Sequence, residues 1–528
     1  MVMTRKQAAI ALAIAVLGAL ILWMIYLKTV GAVGAIPFRL GVVGQAASID
    51  PALAESSAEK LMASAIYEPL VRWDDETESI KGALANTWGY GKDSRSIVFM
   101  LKTNVSFHNG RRMQAEDIKL SWERSLKNIG TGPRFYLFST IEGVEDFIKG
   151  DAPEITGIKV LNSQTLQINF STPDSAFIYK ITNPAFWVAD TRDDVEILMG
   201  TGPFKLDSFD SEKKLSAQRF PRYYGLRPSI TKLDITCYKD EVRGLAAFQN
   251  GELDALDTVP LSELSWLEED KNIQLVKSPL MGFYACAMNT VSVPFNQPEL
   301  RQALSYTIDR EALVKSVLGG VGQPARTIIP LAMPGYNRTL VGYSFDPDKV
   351  VELLLECDYL NRAMPTTLTY TYNSDEGHAR MAQALKTQLE NMDMVVETMS
   401  LPWEEFEKRM VSRQLGFFRM GWEADYPDPD GILYPLFHSS QIGITNLTGY
   451  NNPQVDRILD AARSETKSTT ERIKLLRRAE QIILDDAPML WIAGNEGVSL
   501  VRSNIKGFKF DGLRLINWQR LNIEPEAS

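Results

Sequence analysis

The stretch between residues 368 and 420 most constrains what this chain can fold into. Residues 368–372 are β-prone, 378–392 carry helical periodicity, 395–401 are again β-prone, 403–413 are helical, and 415–420 form a third β-prone run. This is a β-α-β-α-β pattern, and such crossovers favour parallel pairing. A parallel sheet is covered on both faces by helices. In open parallel sheets, ligands bind beyond the carboxyl ends of the strands. Immediately after the third run comes Gly421-Trp-Glu-Ala-Asp-Tyr-Pro-Asp-Pro-Asp430, rich in aromatic and carboxylate groups. On physical grounds alone, it is a candidate binding loop.

The N-terminus sets the compartment. Arg5 and Lys6 precede a run, residues 8–27, in which every residue is apolar or Gly except Tyr26. Twenty residues at helical rise span about 30 Å, the thickness of a bilayer core. Trp23 and Tyr26 lie where an aromatic belt would sit, and the flanking basic residues place that end in the cytoplasm. A cleaved signal peptide is the competing reading: small residues follow (Gly31, Ala32, Gly34, Ala35), but signal cores are usually only about 7–15 residues long. The length favours an uncleaved anchor at 8–27, and no Cys stands where a lipoprotein anchor needs one. On either reading the chain after about Pro37 works outside the cytoplasm. No second apolar run approaches this length, so the chain is not itself a channel.

The chain of 528 residues carries 56 basic and 66 acidic residues, a net charge of −10 that argues against nucleic-acid binding. It has three His and three Cys, with neither C-x-x-C nor H-E-x-x-H, so no zinc site and no disulfide framework are expected. The Cys residues read as buried thiols. His108, in Phe107-His-Asn-Gly110, reads as a structural His bonding to backbone. Asp428 and Asp430 are too closely spaced for an EF-hand, and Pro427 and Pro429 favour a rigid turn instead. Other elements read clearly: a helix over 113–127 with Ile118, Trp122 and Leu126 on one face, and a capping box at Ser468-Thr-Thr-Glu471 before a long helix stopped by Pro488.

Motifs spread over about 38–522 resemble one family. They include Ser48-Ile-Asp-Pro51, Ile66-Tyr-Glu-Pro-Leu70, Val105-Ser-Phe-His-Asn-Gly110, Ala115-Glu-Asp-Ile118, Ser121-Trp-Glu-Arg124, Gly200-Thr-Gly-Pro-Phe-Lys-Leu206, Phe248-Gln-Asn-Gly-Glu-Leu-Asp254, Arg301-Gln-Ala-Leu304, Ile308-Asp-Arg310 and Trp422-Glu-Ala-Asp-Tyr-Pro-Asp-Pro429. Each is weak alone, but their number and order are specific. The chain is similar to the extracytoplasmic solute-binding proteins of the peptide and nickel class, family 5, which serve ABC importers. The resemblance implies an α/β, two-lobed periplasmic-binding-protein fold of type II with an extra subdomain, added here to one N-terminal transmembrane helix. It divides the chain into an anchor or signal (1–37), a discontinuous lobe I (38–58, 176–276 and 495–522), the extra subdomain (59–175) and lobe II (277–494), with hinge crossings near Ser278 and Ala493.

The resemblance also carries site residues. Asp425 matches the Asp that pairs with a peptide's α-ammonium, and a charge-assisted bond is about twice as strong as a neutral one. Trp422 and Trp403 match pocket-lining aromatics, against an alternative of core packing. Arg419 and His378 fall on positions that meet a peptide's carboxylate, although Arg419 also reads as a structural ion-pair residue. Glu55, Tyr136 and Tyr284 are weaker matches. The expected partners are a peptide ligand, ABC permease subunits and the membrane through the N-terminal helix; the protein is expected to be a monomer with no cofactor, no metal and no nucleic acid. Within the family the ligands are di- and oligopeptides, nickel complexes, sugars and opines; Asp425, Arg419 and His378 together favour peptides with free termini. A tethered sensor using the same fold is the second reading. A hydrolase is disfavoured: Glu423 and Asp425 invite a glycosidase reading, but nothing supplies a second carboxylate site, and neither a G-x-S-x-G elbow nor a phosphate-binding G-x-x-x-x-G-K-[ST] loop is present.

Overall fold

In the computed structural model, residues 37–92, 94–192, 199–360 and 366–524 are described. The apolar run at 8–27 lies outside them. Among the described residues no helix is long and apolar enough to cross a membrane.

Strand β1 (Pro37–Val43) enters the main sheet, and the chain then builds a separate body. A helix at Ser57–Ile66 leads to the hairpin β2 (Val71–Asp74) and β3 (Ser79–Gly82). Strands β4 (Ala85–Tyr90), β5 (Ser96–Leu101), β6 (Ile158–Asn162) and β7 (Thr165–Asn169) form a four-stranded antiparallel sheet in the order β4-β5-β7-β6. The helix Ala115–Ile129 packs on this body through Ile118, Trp122 and Leu126, all fully buried, as their spacing predicts. Its core runs from Leu70 to Val188 and also takes in Tyr426, whereas Leu61 to Tyr67 pack into the core under β1.

The main sheet has eleven strands. After β8 (Phe204–Asp210), β9 (Lys214–Arg219), β10 (Lys232–Tyr238) and β11 (Ala255–Leu256) come the long β12 (Ile273–Met288), the short β13 (Gln323–Pro324), then β14 (Leu368–Asn373), β15 (Val396–Leu401), β16 (Phe417–Glu423) and the long β17 (Met489–Arg502). Their order is β15-β14-β16-β12-β17-β11-β1-β10-β9-β8, with β13 on β17. Strands β12 and β17 belong to both halves. Ile273–Pro279 pairs with Glu496–Arg502 beside β11 and β1; then the register breaks, and Phe283 onward pairs with Met489–Gly494 beside β16. That interruption, flanked by Gly282, Gly494 and Gly497, divides the sheet into two lobes. The half that holds β14–β16 is covered on both faces: Phe283, Phe418 and Trp491 face one core while Cys286, Phe417 and Leu490 face another, an alternation that places successive strand residues on opposite sides.

The β-α-β-α-β reading holds: β14 pairs in parallel with both β15 and β16, joined by helices Glu376–Glu390 and Trp403–Val411. The boundaries shift by one to three residues, and one shift matters for the site. The third strand continues through Glu423, so Trp422 and Glu423 are strand residues and not loop, because Gly282–Met288 of β12 pairs with the whole of Phe417–Glu423. The long helix runs Thr469–Asp486, with the Ser468 side chain accepting from the Glu471 amide. It stops at Ala487, held at φ 46° ahead of Pro488, since a residue before Pro avoids the helical region. Cys286 and Cys357 are buried thiols, but Cys237 is only half-buried, near the end of β10 where the sheet meets solvent.

Candidate functional site

The carboxyl ends of β14, β15 and β16 lie on one edge, and each leads into a residue singled out above. His378 sits in the first turn of the helix after β14, where Asp375 caps it by accepting from the His378 amide at 3.0 Å. Trp403 opens the helix after β15, and Asp425 follows β16.

Two of these positions are built into separate clusters. In the first, Arg419 on β16 stands opposite Cys286 on β12, and Gly421 stands opposite Tyr284. Directly paired residues point to the same face, as do residues two apart, so Arg419 and Tyr284 share one side of the sheet. Gly421 makes room for them: a Cβ there would lie 3.2 Å from an Arg419 guanidinium nitrogen. The guanidinium thus reaches over the Tyr284 ring, 5.5 Å from its centre. Tyr284 Oη lies 3.5 Å from Nδ1 of His378, with the rings 5.7 Å apart. Burial, and then the Arg419 cation, lower the His378 imidazole to about 4, so it is neutral across the physiological range. Burial likewise raises the Tyr284 hydroxyl and pushes the Cys286 thiol up to about 12. Arg419 is half-buried, forms no ion pair among the described residues, and keeps a buried Nε without a hydrogen-bond partner.

The second cluster surrounds Asp425. Tyr136 donates its hydroxyl to Asp425 Oδ2 at 2.5 Å, and Asn183 donates Nδ2 to the Asp425 carbonyl at 2.9 Å and to Oδ1 at 3.3 Å. Burial and then the neighbouring carboxylate raise the Tyr136 hydroxyl well above its ordinary value, so it remains a donor. The loop beyond Asp425 is rigid for reasons the two acids supply. Asp428 makes a two-pronged pair with Arg472 at 2.6 and 2.7 Å, and Asp430 makes another with Arg463 at 2.8 and 2.9 Å. All four side chains are at most 6 % exposed. Tyr426 donates to Asp430 at 2.6 Å and is wholly buried in the core of the β4–β7 body. These aspartates are ion-pair anchors of a turn; among the described residues no group of His, Cys, Asp or Glu could hold a metal.

The remaining matched residues are less embedded. Trp422 is half-buried, faces the side of β16 opposite Arg419, and donates Nε1 to the Gly431 carbonyl at 3.1 Å, so it both packs and braces the loop. Trp403 is 49 % exposed and, among the described residues, has Phe406 as its ring neighbour, so it is not a core residue. Glu55 is a surface group paired with Arg134 at 2.8 Å, two residues from Tyr136. His108 is structural: its Nε2 meets the Gly202 carbonyl at 3.1 Å, its ring meets Phe220 edge-on, and burial lowers it to about 4. Sequence reasoning missed Asn183, Arg463 and Arg472. The paired acids Asp428 and Asp430 do call for two cations, but nothing local shows that these come from helices 33 and 44 residues further on.

Comparison with known proteins follows the same lines. The family model described as "Bacterial extracellular solute-binding proteins, family 5 Middle" matches residues 79–443. The chain is 27 % identical to the probable D,D-dipeptide-binding periplasmic protein DdpA of Escherichia coli strain K12, over 90 % of this chain and 92 % of that one. It is 27 % identical to the oligopeptide-binding protein OppA of Bacillus subtilis strain 168, over 88 % of each. Among solved structures, the unliganded open form of the periplasmic murein tripeptide binding protein MppA superposes with a TM-score of 0.79 at 23 % identity, covering 93 % of this chain and 98 % of that one. The periplasmic binding protein DppA of Helicobacter pylori in complex with the peptide STSA gives 0.75 at 23 %, covering 93 % and 99 %. These two share the two-lobed fold.

Proposed function

Because this chain belongs to the family 5 bacterial extracellular solute-binding proteins, a group of transport components and not enzymes, we propose that it captures short peptides between its lobes outside the cytoplasmic membrane and delivers them to an ABC importer. The observation that carries this reading is the pairing of opposite charges at two places on one strand end. Asp425 offers a carboxylate to an α-ammonium, and Arg419 offers a guanidinium that no described carboxylate neutralises. They lie six residues apart, so about 3.3–3.6 Å per residue bounds their separation near ~20 Å, the reach of a short extended peptide. The Tyr284 ring beside Arg419 and the exposed Trp403 offer flat apolar surface without specific demands, which suits varied side chains. We assign lobe I to 38–58, 176–276 and 495–522, the extra subdomain to 59–175 and lobe II to 277–494, with 59–67 and 176–188 packing across the lobe I–subdomain border. The register break in β12 and β17 supplies the hinge. A ligand touching both lobes shifts the equilibrium towards closure, because only the closed form makes both sets of contacts.

The apolar run at 8–27 supports a receptor tethered to the membrane; a chain lacking residues 1–36 is then expected to be soluble and ligand-competent. The test of function is native mass spectrometry of protein purified from its own host, followed by calorimetry with the released molecule. A peptide whose affinity falls at least about a hundredfold in Asp425→Ala, the loss expected for a buried charge-assisted contact, supports the reading. A non-peptide guest, or a peptide bound equally by Asp425→Ala, overturns it.

A further inference from the structure

A cavity of about 290 Å³ lies apart from the two clusters described above. It is enclosed by the end of the Ser57–Ile66 helix, by β2 with its turn, and by the chain between Gly507 and Arg520; Asp425, Tyr136, Tyr284, His378 and Arg419 are not among its lining residues. Its size is at the lower edge of ordinary small-molecule sites. The walls are aromatic: Tyr67, Trp73, Trp187, Phe508 and Trp518, each less than a tenth exposed.

Its polar groups are unevenly satisfied. The lining acids have partners already. Glu68 accepts from Tyr223, Tyr224 and Thr201 at 2.6, 3.0 and 3.2 Å. At the mouth, Lys509 holds Asp75 at 2.9 Å, and Arg520 holds Asp74 and Glu76. The donors are not so well served. Half-buried Arg72 lies within electrostatic reach of the Glu68 carboxylate but forms no ion pair among the described residues, and its side chain bonds to Gln519, at 3.5 Å. Trp73, 9 % exposed, has a buried Nε1 with no hydrogen-bond partner among the described residues. A buried donor left unmade costs about 1–3 kcal/mol, and a guanidinium with no carboxylate bonded to it is a ready partner for one.

We propose that this cavity is a second ligand site, separate from the peptide cleft, and that it takes a small aromatic carboxylate. The ring lies among the aromatic walls, where burial and ring-on-ring contact stabilise it, and the carboxylate meets Arg72. The single guanidinium that lacks an ion pair among the described residues suits a monoanion; Lys509 and Arg520 are already held by Asp74, Asp75 and Glu76, so a phosphate dianion would find too few free donors.

Phenylacetate is the probe. Calorimetric titration of the full chain is expected to show saturable binding at millimolar concentration or below. Arg72→Gln is expected to weaken it by at least about tenfold, the scale of one charge-assisted hydrogen bond, while Arg72→Lys retains part of it. Asp425→Ala is expected to leave it unchanged, and added peptide is expected not to displace it. Should Arg72→Gln fail to fold, Gln519→Ala, which unseats the Arg72 side chain at a half-buried position, gives the same readout. No saturable binding to the wild-type chain, equal binding to the Arg72→Gln chain, or displacement by peptide overturns the proposal. Because peptide binding is measured on the same samples, failure here is distinct from failure of the cleft assignment.

Discussion

Replacing Arg472 by Met removes a guanidinium that donates two bonds to Asp428, at 2.6 and 2.7 Å, and one to Ser175 Oγ at 2.7 Å. What remains is a carboxylate 2 % exposed whose surviving donor is the Asp430 amide at 2.9 Å. Breaking a buried pair by deleting one partner costs about 3–5 kcal/mol, because the other charge is left uncompensated. At about 2.1 cal/mol/K per residue, a chain of 528 residues unfolding as one unit has an entropy near ~1.1 kcal/mol/K, so Tm is expected to fall by roughly 3–5 °C. Differential scanning calorimetry on wild type, Arg472→Met, Asp428→Asn and the double variant measures this. The double variant is expected to recover more than half of the loss, since removing both partners leaves no orphaned charge. Peptide affinity is expected to fall with stability, because Asp428 anchors the turn that presents Asp425. An unchanged Tm in Arg472→Met, or a double variant no more stable than the single one, refutes the reasoning.

Glu480 is 1 % exposed, accepts from the Ile329 amide and has an Oε2 without a hydrogen-bond partner among the described residues; burial raises its carboxyl to about 7. The folded state therefore keeps a proton that the unfolded chain loses near 4.5, so stability is expected to decline by roughly 3 kcal/mol as pH rises from 4.5 through 7 and then level off; denaturant titrations of Glu480→Gln should lack that slope. His378, lowered to about 4 by burial and by Arg419, is neutral from pH 8 down to 5.5, so peptide affinity measured by calorimetry over that range should not change through its titration; NMR showing an imidazole that titrates near 6.5 would refute this. Arg419→Gln is expected to weaken peptides with a free C-terminus by about 1.5–3 kcal/mol and to leave C-terminally amidated peptides unaffected; equal losses for both would remove Arg419 from the carboxylate site.

Much of the fold was legible locally. The alternation of 368–420 implied three parallel strands and two helices, and the strands pair that way. The spacing of Ile118, Trp122 and Leu126 marked a buried helix face. Side-chain periodicity and capping depend on residues within a few positions of one another, so a single sequence exposes them. The extent of β16 was not legible, because its last residues are strand only through pairing with β12, some 140 positions earlier.

The site divides in the same way. The chemistry of Asp425, Arg419 and His378 is written in residue types and in motifs that match a family. Whether each is free, paired or buried is written nowhere in the chain order. Asp425 meets a tyrosine 289 residues away, and Tyr284 lies beside a histidine 94 residues on. Asp428 and Asp430 became turn anchors only when two helices delivered Arg472 and Arg463. Residue type and local spacing determined which charges this protein carries and which segments are strands or helices. Which charge faces which was decided by tertiary packing, because an electrostatic partner is chosen by distance in space, which long-range strand pairing and helix docking together control.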